Sequence, residues 1–391
     1  MIPLRAEQPR VEAPAPLPAR AERLRSLDVF RGATIAAMIV VNDAGDWDKT
    51  YWPLLHAKWH GWTPTDLVFP FFLFAVGIAI PYAFAGRLAK SGGDRHPLYW
   101  QIVQRTLILF ALGLCLAWFP FYNVDWPTAR IPGVLQRIAV VYFFTALAWL
   151  HLSPRARALL LVTLLAGYWL AMMLIPVPGH GAGDLGPQGN LSAFVDHAVL
   201  GRHIWRKAPG PGDPEGILST LPAIATALAG LFAGDWLRSP RAPREKLKGM
   251  LLWGIGGTVA GLALSPWFPI NKNLWTSTYV LFTAGMALLL QAILYYAVDL
   301  KQRDGWARPF TVFGTNSIFA FVASGFLAKV SRTFHWPAAG EPITVHEWLY
   351  RHLFASWLPD NAASLAWALA FTALLWGLTA ILYRRRIFIR I

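Results

Sequence analysis

A histidine beside a long apolar run is the first residue whose type and position suggest chemistry. His56 lies in LLHAKWHGWTPTDLVFPFF, and a histidine at a membrane boundary is suited to moving a proton near neutral pH. His60 follows four residues later, a spacing that permits a metal ion if both imidazoles share one helix face. No cysteine and no HExxH pattern accompany the pair, so we expect no metal.

Polar side chains border the apolar runs around His56. Asn42 follows the unbroken apolar stretch that ends in VVN, where an inward-facing amide needs hydrogen-bond partners. Asp66 ends the sequence TPTD, a helix-start signal that gives this carboxylate an interpretation as a cap. Arg137 lies within an apolar helix pattern, so it must be paired or reach water. Asp125, Asp213 and Glu215 are its candidate partners.

Cations gather at the start of the first apolar run, in RLRSLDVFRG. Two interpretations of Arg31 stay open. Either it pairs with Asp28 and extends toward water, or it forms an anion site together with Arg23 and Arg25.

Common catalytic motifs do not occur in this chain. The sequence holds no GxxxxGK[ST], no GxGxxG following a strand and no GxSxG, so nucleotide hydrolysis and serine hydrolase chemistry lack support.

The composition indicates which elements must position these residues. The chain has 391 residues, of which 55% are hydrophobic and 14% charged, whereas soluble proteins average about 25% charged residues. We therefore predict an all-α polytopic membrane bundle. Ten apolar runs are long enough to span a bilayer, and they cover residues 27–45, 65–86, 101–120, 133–151, 157–176, 216–237, 248–267, 276–298, 309–330 and 363–383.

The distribution of positive charge predicts the orientation of this bundle. The net charge is +14, and most Lys and Arg fall in loops that share a side with the N-terminus. We therefore expect both termini in the cytoplasm, beside anionic lipid of the bilayer, and no nucleic-acid partner. Residues 1–26 are predicted to be a flexible basic cytoplasmic arm, followed by a single membrane domain over 27–391.

Several of these segments together resemble one known family. RLRSLDVFRG, VVN, LLHAKWHGWTPTDLVFPFFLFAVG, RIPGVLQRIA, DPEGILSTLPAI, PINKNLWT and FGTNSIFAF occur in the order found in the transmembrane acetyltransferase family of lysosomal heparan-α-glucosaminide N-acetyltransferase, and the chain is most similar to the bacterial branch. The resemblance implies that acetyl-CoA enters from the cytoplasm and that its acetyl group passes to a glucosamine amine on the periplasmic side. It matches His56 to the family's active histidine and Asn42 to a family asparagine.

The resemblance also implies a homodimer in the bacterial inner membrane, with acetyl-CoA as co-substrate and no metal. We expect the CoA phosphates to bind residues at the cytoplasmic end of the bundle, namely Arg23, Arg25, Arg31, Arg105, Asn316 and Ser317. We expect the sugar to bind residues on the opposite side, namely Asp46, Asp66, Arg137, Asp213 and Glu215.

Two alternatives remain open on the sequence alone. Ten spans with polar residues inside the membrane also fit a transporter for a sugar or another solute, although the two halves show no convincing repeat. An acyltransferase that acts on a cell-wall or lipid-linked glycan fits equally well.

Overall fold

A bundle of long helices forms the computed structural model, which describes residues 24–336 and 342–389. Of the predicted basic arm, residues 1–23 lie outside the described residues, and Arg23 is among them. The long helices are α1 Arg25–Asn42, α2 Val68–Lys90, α3 His96–Trp118, α4 Val134–His151, α5 Pro154–Leu174, α7 Thr220–Arg238, α8 Pro243–Leu264, α9 Ser277–Leu294, α11 Ser317–Thr333 and α13 Asp360–Arg384.

Shorter elements connect the long helices. They are the helices α6 Leu191–Leu200, α10 Arg308–Thr315 and α12 Val345–Tyr350, and the antiparallel strands β1 His335–Trp336 and β2 Ile343–Thr344. Because helices account for nearly all of the regular structure, the predicted all-α fold is confirmed.

The apolar helices are long enough for a membrane. Within the described ranges, eight helices could cross a bilayer by length and composition, namely α2, α3, α4, α5, α7, α8, α9 and α13. Helices α10 and α11 meet at a bend of 73° and make a ninth candidate if the pair counts as one broken span. The predicted run 309–330 is therefore broken at Asn316, which the sequence did not indicate.

Helix α1 is the exception among the ten predicted spans. It carries Arg25, Asp28 and Arg31 within 18 residues and is not one of the eight apolar helices. It nevertheless packs against α2, α9, α10, α11 and α13, so it lies at the centre of the bundle. Ten crossings and cytoplasmic termini stay predictions.

Contacts between the loops define two ends of the bundle. At the end where α1 begins, the backbone N–H of Arg25 donates to Asp299 at 3.1 Å. At the opposite end Lys272 contacts His56, and Lys49 forms an ion pair with Asp360 at 2.8 Å. We call these the Arg25 end and the His56 end.

Glycines let neighbouring helices meet backbone to backbone. A Cβ atom added to Gly32 on α1 would lie 1.7 Å from the carbonyl oxygen of Phe310 on α10, and one added to Gly314 would lie 1.8 Å from the carbonyl oxygen of Asp28. The same holds between α2 and α7, where a Cβ on Gly77 would lie 2.1 Å from the carbonyl oxygen of Ala227. Within lipid, helices approach each other closely where small residues such as these form the contact.

We expect Gly32→Ala to destabilise the bundle, because the added methyl group must push α10 away from α1. Overpacking of this kind costs about 1–3 kcal/mol or more. The measurement is the melting temperature of the detergent-purified protein. Gly377→Ala on α13 is the matched control, since no atom lies within 4 Å of its Cβ position. Equal melting temperatures for the two variants would contradict the close contact.

Candidate active site

His56 is held in the loop between α1 and α2 by a carboxylate. Its Nδ1 lies 2.7 Å from Oδ1 of Asp66, whose side chain is 1% exposed, whereas the His56 side chain is 47% exposed. With the Nδ1 proton shared with this carboxylate, Nε2 keeps the lone pair that a base needs. The arrangement is therefore a carboxylate-oriented imidazole that opens toward the surface.

The second oxygen of Asp66 shapes the loop itself. Oδ2 accepts hydrogen bonds from the backbone N–H groups of Ala57 and Thr63, each at 3.0 Å. The bond to Thr63 is the capping interaction that the TPTD sequence predicts. Asp66 thus both caps the helix start and orients His56. The structure places Asp66 beside the imidazole, and its predicted contact with the sugar stays a prediction.

A third group at this site comes from the loop between α8 and α9. Nζ of Lys272 lies 3.0 Å from Nε2 and 3.1 Å from Nδ1 of His56, and 3.9 Å from Oδ1 of Asp66. Burial lowers the pKa of Lys272, and the charges of Asp66 and Glu215 partly oppose this effect. Lys272 lies in the PINKNLWT segment, and nothing in the sequence marks it as a neighbour of His56.

His60 has a different neighbour and lies in the same non-helical loop. Its Nδ1 is 3.3 Å from Nδ2 of Asn271, and burial lowers its pKa. The two histidines therefore do not share a helix face. Within the described ranges, no group of three metal-ligating side chains forms.

Arg137 reaches toward the same region from α4, but no carboxylate of the described residues is hydrogen-bonded to it. Its Nη2 donates to the carbonyl of Gly216 at 3.1 Å and to the hydroxyl of Ser219, and its guanidinium lies 5.0 Å from the ring centroid of Trp275. Its Nε and Nη1 have no hydrogen-bond partner in the described chain.

The carboxylates expected to pair with Arg137 pair with Arg130 instead. Arg130 donates to Asp213 at 2.8 and 2.6 Å and to Glu215 at 2.6 Å. Burial alone would lower the pKa of Arg130, but its bonds to Asp213 and the charge of Glu215 raise it. The predicted pairing of Arg137 with Asp213 or Glu215 is therefore wrong. Arg130 lies in the loop between α3 and α4, where its guanidinium is close enough to bind both carboxylates.

Asp213 and Glu215 differ in how many of their carboxylate oxygens already accept hydrogen bonds. Both oxygens of Asp213 are occupied, because backbone N–H groups of Trp205 and Glu215 also donate to it. One oxygen of Glu215 binds Arg130, and its charge acts on Lys272. Glu215 is thus the better placed of the two for contact with a ligand near His56.

Asp46 and Asn42 lie on the α1 side of this end. The backbone N–H of Asp46 donates to the hydroxyl of Ser364 on α13 at 3.1 Å. Oδ1 of Asp46 accepts a hydrogen bond from the backbone N–H of Asp48. Asn42 is the last residue of α1 and is exposed. No hydrogen bond joins either residue to His56 among those of the described residues.

A cavity of about 530 Å³, a volume that includes space open to solvent, lies beside α1. Arg31 and Arg105 line it together with Ser317, so the structure brings together three of the residues predicted to bind phosphate. The remaining walls are apolar and are formed by Ile35, Met38, Phe72, Val76, Ala79, Leu109, Leu135, Ile138, Ile318 and Phe321. Met38 lies one turn, about 6 Å, before Asn42, and Leu135 lies in the first turn of α4, so the cavity extends toward the His56 end.

The two arginines of this cavity differ in their partners. Arg31 donates to Asp28 at 2.6 Å, as one of the sequence interpretations predicts. Arg105 has no carboxylate partner within the described ranges, and its guanidinium lies 4.7 Å from the ring centroid of Tyr142. The Nε atoms of both arginines are buried and without a hydrogen-bond partner in that part of the chain.

Two other predicted phosphate ligands do not line this cavity. Arg25 forms an ion pair with Asp304. Asn316 is fully buried and binds the C-terminal segment, because its amide donates to the carbonyl of Ile387 at 3.1 Å and accepts from the N–H of Ile389 at 2.8 Å. Both side chains thus have partners within the protein.

Comparisons with known proteins give one family match and two similar curated relatives. A family model described as a domain of unknown function, DUF5009, matches residues 50–184. Heparan-alpha-glucosaminide N-acetyltransferase of Homo sapiens is 32% identical over 353 residues, which are 77% of this chain and 52% of the human protein. The Mus musculus protein of the same name is 31% identical over 377 residues, 82% of this chain and 56% of the mouse protein. The chain spans about half the length of these curated relatives.

We expect Arg130→Met to destabilise the protein at neutral pH by roughly 3 kcal/mol, because two largely buried carboxylates lose their cation. The melting temperature of the detergent-purified protein measures this loss. Arg206→Met is the matched control, because its pair with Asp125 is more than 60% exposed on both sides and is worth about 0–1 kcal/mol. Equal losses of melting temperature in the two variants would contradict this account.

Proposed function

Because this chain belongs to the family of the heparan-alpha-glucosaminide N-acetyltransferases, we propose that it transfers the acetyl group of acetyl-CoA to the amine of a glucosamine-type sugar. Acetyl-CoA enters from the cytoplasm at the Arg25 end, and the sugar is bound at the periplasmic His56 end. The observation that carries the proposal is the His56–Asp66 pair, with 2.7 Å between Nδ1 and Oδ1.

His56 acts as the general base in this proposal. The amine nitrogen attacks the thioester carbonyl carbon, and Nε2 of His56 takes a proton from the amine. The tetrahedral intermediate then collapses, so the C–S bond breaks, the amide C–N bond remains and the proton passes from His56 to the thiolate of CoA. Asp66 holds the imidazole in the tautomer with Nδ1 protonated and stabilises the transient imidazolium.

The cavity beside α1 is the proposed CoA site. CoA carries a phosphate and a diphosphate, which favour arginine forks, and Arg31 and Arg105 supply these at the Arg25 end. The apolar walls suit the pantetheine arm, and an extended CoA spans a large part of a hydrocarbon core of roughly 30 Å. The thioester then reaches the His56 end without transport of CoA.

Direct transfer follows from this arrangement, so we propose no acetyl-His56 intermediate. Asn42 lies one turn beyond Met38 of the cavity wall, and we assign its amide to the developing oxyanion. Glu215, with one oxygen bound to Arg130, is the proposed contact for a hydroxyl or ammonium of the sugar. Isolation of acetylated His56 at a rate competent for turnover would overturn direct transfer.

We expect His56→Ala to lower turnover by about 10²–10⁴-fold, which is the usual contribution of a general base, while acetyl-CoA affinity is retained. The assay uses detergent-purified protein with acetyl-CoA and glucosamine, and follows free CoA thiol and N-acetylated product. His60→Ala is the matched control in the same loop and should be much milder. Near-wild-type activity in His56→Ala would exclude the proposed base, and transport without any N-acetylated product would favour a transporter.

We expect Arg105→Ala to weaken acetyl-CoA binding by at least about 10-fold, because loss of a charge-assisted bond to phosphate costs about 1.5–3 kcal/mol. Binding is measured by isothermal titration with CoA and with dephospho-CoA. Arg25→Ala is the control, since Arg25 pairs with Asp304 outside the cavity. An equal loss of affinity in both variants would place the phosphates outside this cavity.

A further inference from the structure

We propose that the break between α10 and α11 forms a diphosphate-binding site, in which the first backbone N–H groups of α11 bind the diphosphate of CoA together with Arg105. This inference rests on the proposed function, in which CoA occupies the cavity beside α1. It assigns a ligand to the helix break and names the part of CoA that lies there.

The start of α11 belongs to the wall of this cavity. Ser317 and Ile318 are the first two residues of the helix, and both line the cavity together with Arg31 and Arg105. The junction is held against α1, since a Cβ added to Gly314 would lie 1.8 Å from a carbonyl oxygen in the first turn of α1. The N-terminal end of a helix of 17 residues therefore lies next to two arginines.

The side chain that could cap α11 is bound elsewhere. The first N–H groups of a helix have no acceptor within it, and an asparagine that precedes the helix commonly accepts from one of them. Asn316 has this position but makes no such bond. Its Oδ1 accepts from the backbone N–H of Ile389, and its Nδ2 donates to the carbonyl of Ile387. The start of α11 thus keeps the partial positive charge of a helix end without a side-chain cap.

Two arginine nitrogens give independent evidence for an anionic ligand. The Nε atoms of Arg31 and Arg105 are buried and have no hydrogen-bond partner in the part of the chain that the structure describes. Asp28 compensates the charge of Arg31, whereas no carboxylate of the described residues pairs with Arg105, which lies against the ring of Tyr142. A cation without a counter-charge is unfavourable inside a membrane bundle, so an anionic ligand at this point stabilises Arg105.

The length of the cavity wall indicates which phosphate lies at the helix break. From Arg31 to Asn42, α1 rises by about 16 Å. The pantetheine arm has about thirteen bonds from phosphorus to sulfur, and at the roughly 1.2 Å per bond of an extended polypeptide it spans about 15 Å. A diphosphate beside Arg31 therefore brings the thioester to the level of Asn42. The phosphate on the ribose lies beyond the diphosphate and farther from His56.

Two fragments of acetyl-CoA test the site on the unaltered protein. S-acetyl phosphopantetheine keeps one phosphate of the diphosphate, and S-acetylpantetheine has none. Isothermal titration of the detergent-purified protein measures the affinity for each. We expect the phosphate to strengthen binding by about 10- to 100-fold through charge-assisted hydrogen bonds. Equal affinities for the two fragments would overturn the site.

Ser317→Asp tests the contribution of the α11 end. A carboxylate in the first turn of a helix suits the helix dipole, and it lies beside Arg105, so the melting temperature should not fall. The same charge opposes a phosphate, so the affinity for S-acetyl phosphopantetheine should fall by at least about 30-fold, while the affinity for S-acetylpantetheine is retained. An equal loss of affinity for both fragments would mean that the variant distorts the cavity, and would overturn the assignment.

Ala242→Asp is the matched control, because it adds the same charge immediately before α8 at an exposed position outside the cavity. It should change the affinity for neither fragment. A loss of affinity for S-acetyl phosphopantetheine as large as that of Ser317→Asp would show an effect of overall charge and would count against the site.

The outcomes separate this site from the proposed function. Phosphate-dependent binding that Ser317→Asp abolishes, in a protein that transfers no acetyl group to an amino sugar, would support the site and overturn the proposed function. Acetyl transfer from both fragments with equal apparent affinity, in wild type and Ser317→Asp alike, would overturn the site and leave the proposed function standing.

Discussion

Direct backbone contact between helices is the constraint on which this bundle depends. Lipid tails are as apolar as leucine side chains, so helices within a bilayer gain little from hiding apolar surface and associate through close packing. Gly32 and Gly314 remove the side chains that would otherwise separate α1 from α10. Because Arg31 adjoins Gly32 and Ser317 follows Gly314 closely, the same contact fixes residues at the Arg25 end of the cavity.

At the opposite end a single carboxylate organises the site. The two oxygens of Asp66 have separate partners: one faces His56 and the other holds the backbone of Ala57 and Thr63. A side chain that is 1% exposed and bonded on both oxygens has little freedom to move. The partly exposed imidazole thus acquires a fixed orientation from a group that a ligand does not reach.

Local signals in the sequence were sufficient for part of this site. His56 and the cap at Asp66 lie within one short segment, and the apolar runs located the long helices. Lys272 is 216 residues away from His56, and such a contact depends on how loops meet in space. The run 309–330 likewise gave no sign of the 73° bend, so the buried role of Asn316 was not predicted. For the same reason, the sequence did not predict that Asp213 and Glu215 bind Arg130 rather than Arg137.

Asn316 also links the cavity wall to the timing of protein synthesis. A chain leaves the ribosome from its N-terminus, and the atoms that satisfy the Asn316 amide belong to residues 71 and 73 positions later. Until they emerge, an amide that ends fully buried must find water or lipid headgroups instead. The junction between α10 and α11, beside Ser317 of the cavity wall, therefore gains its final hydrogen bonds only after the segment that follows α13 has been synthesised.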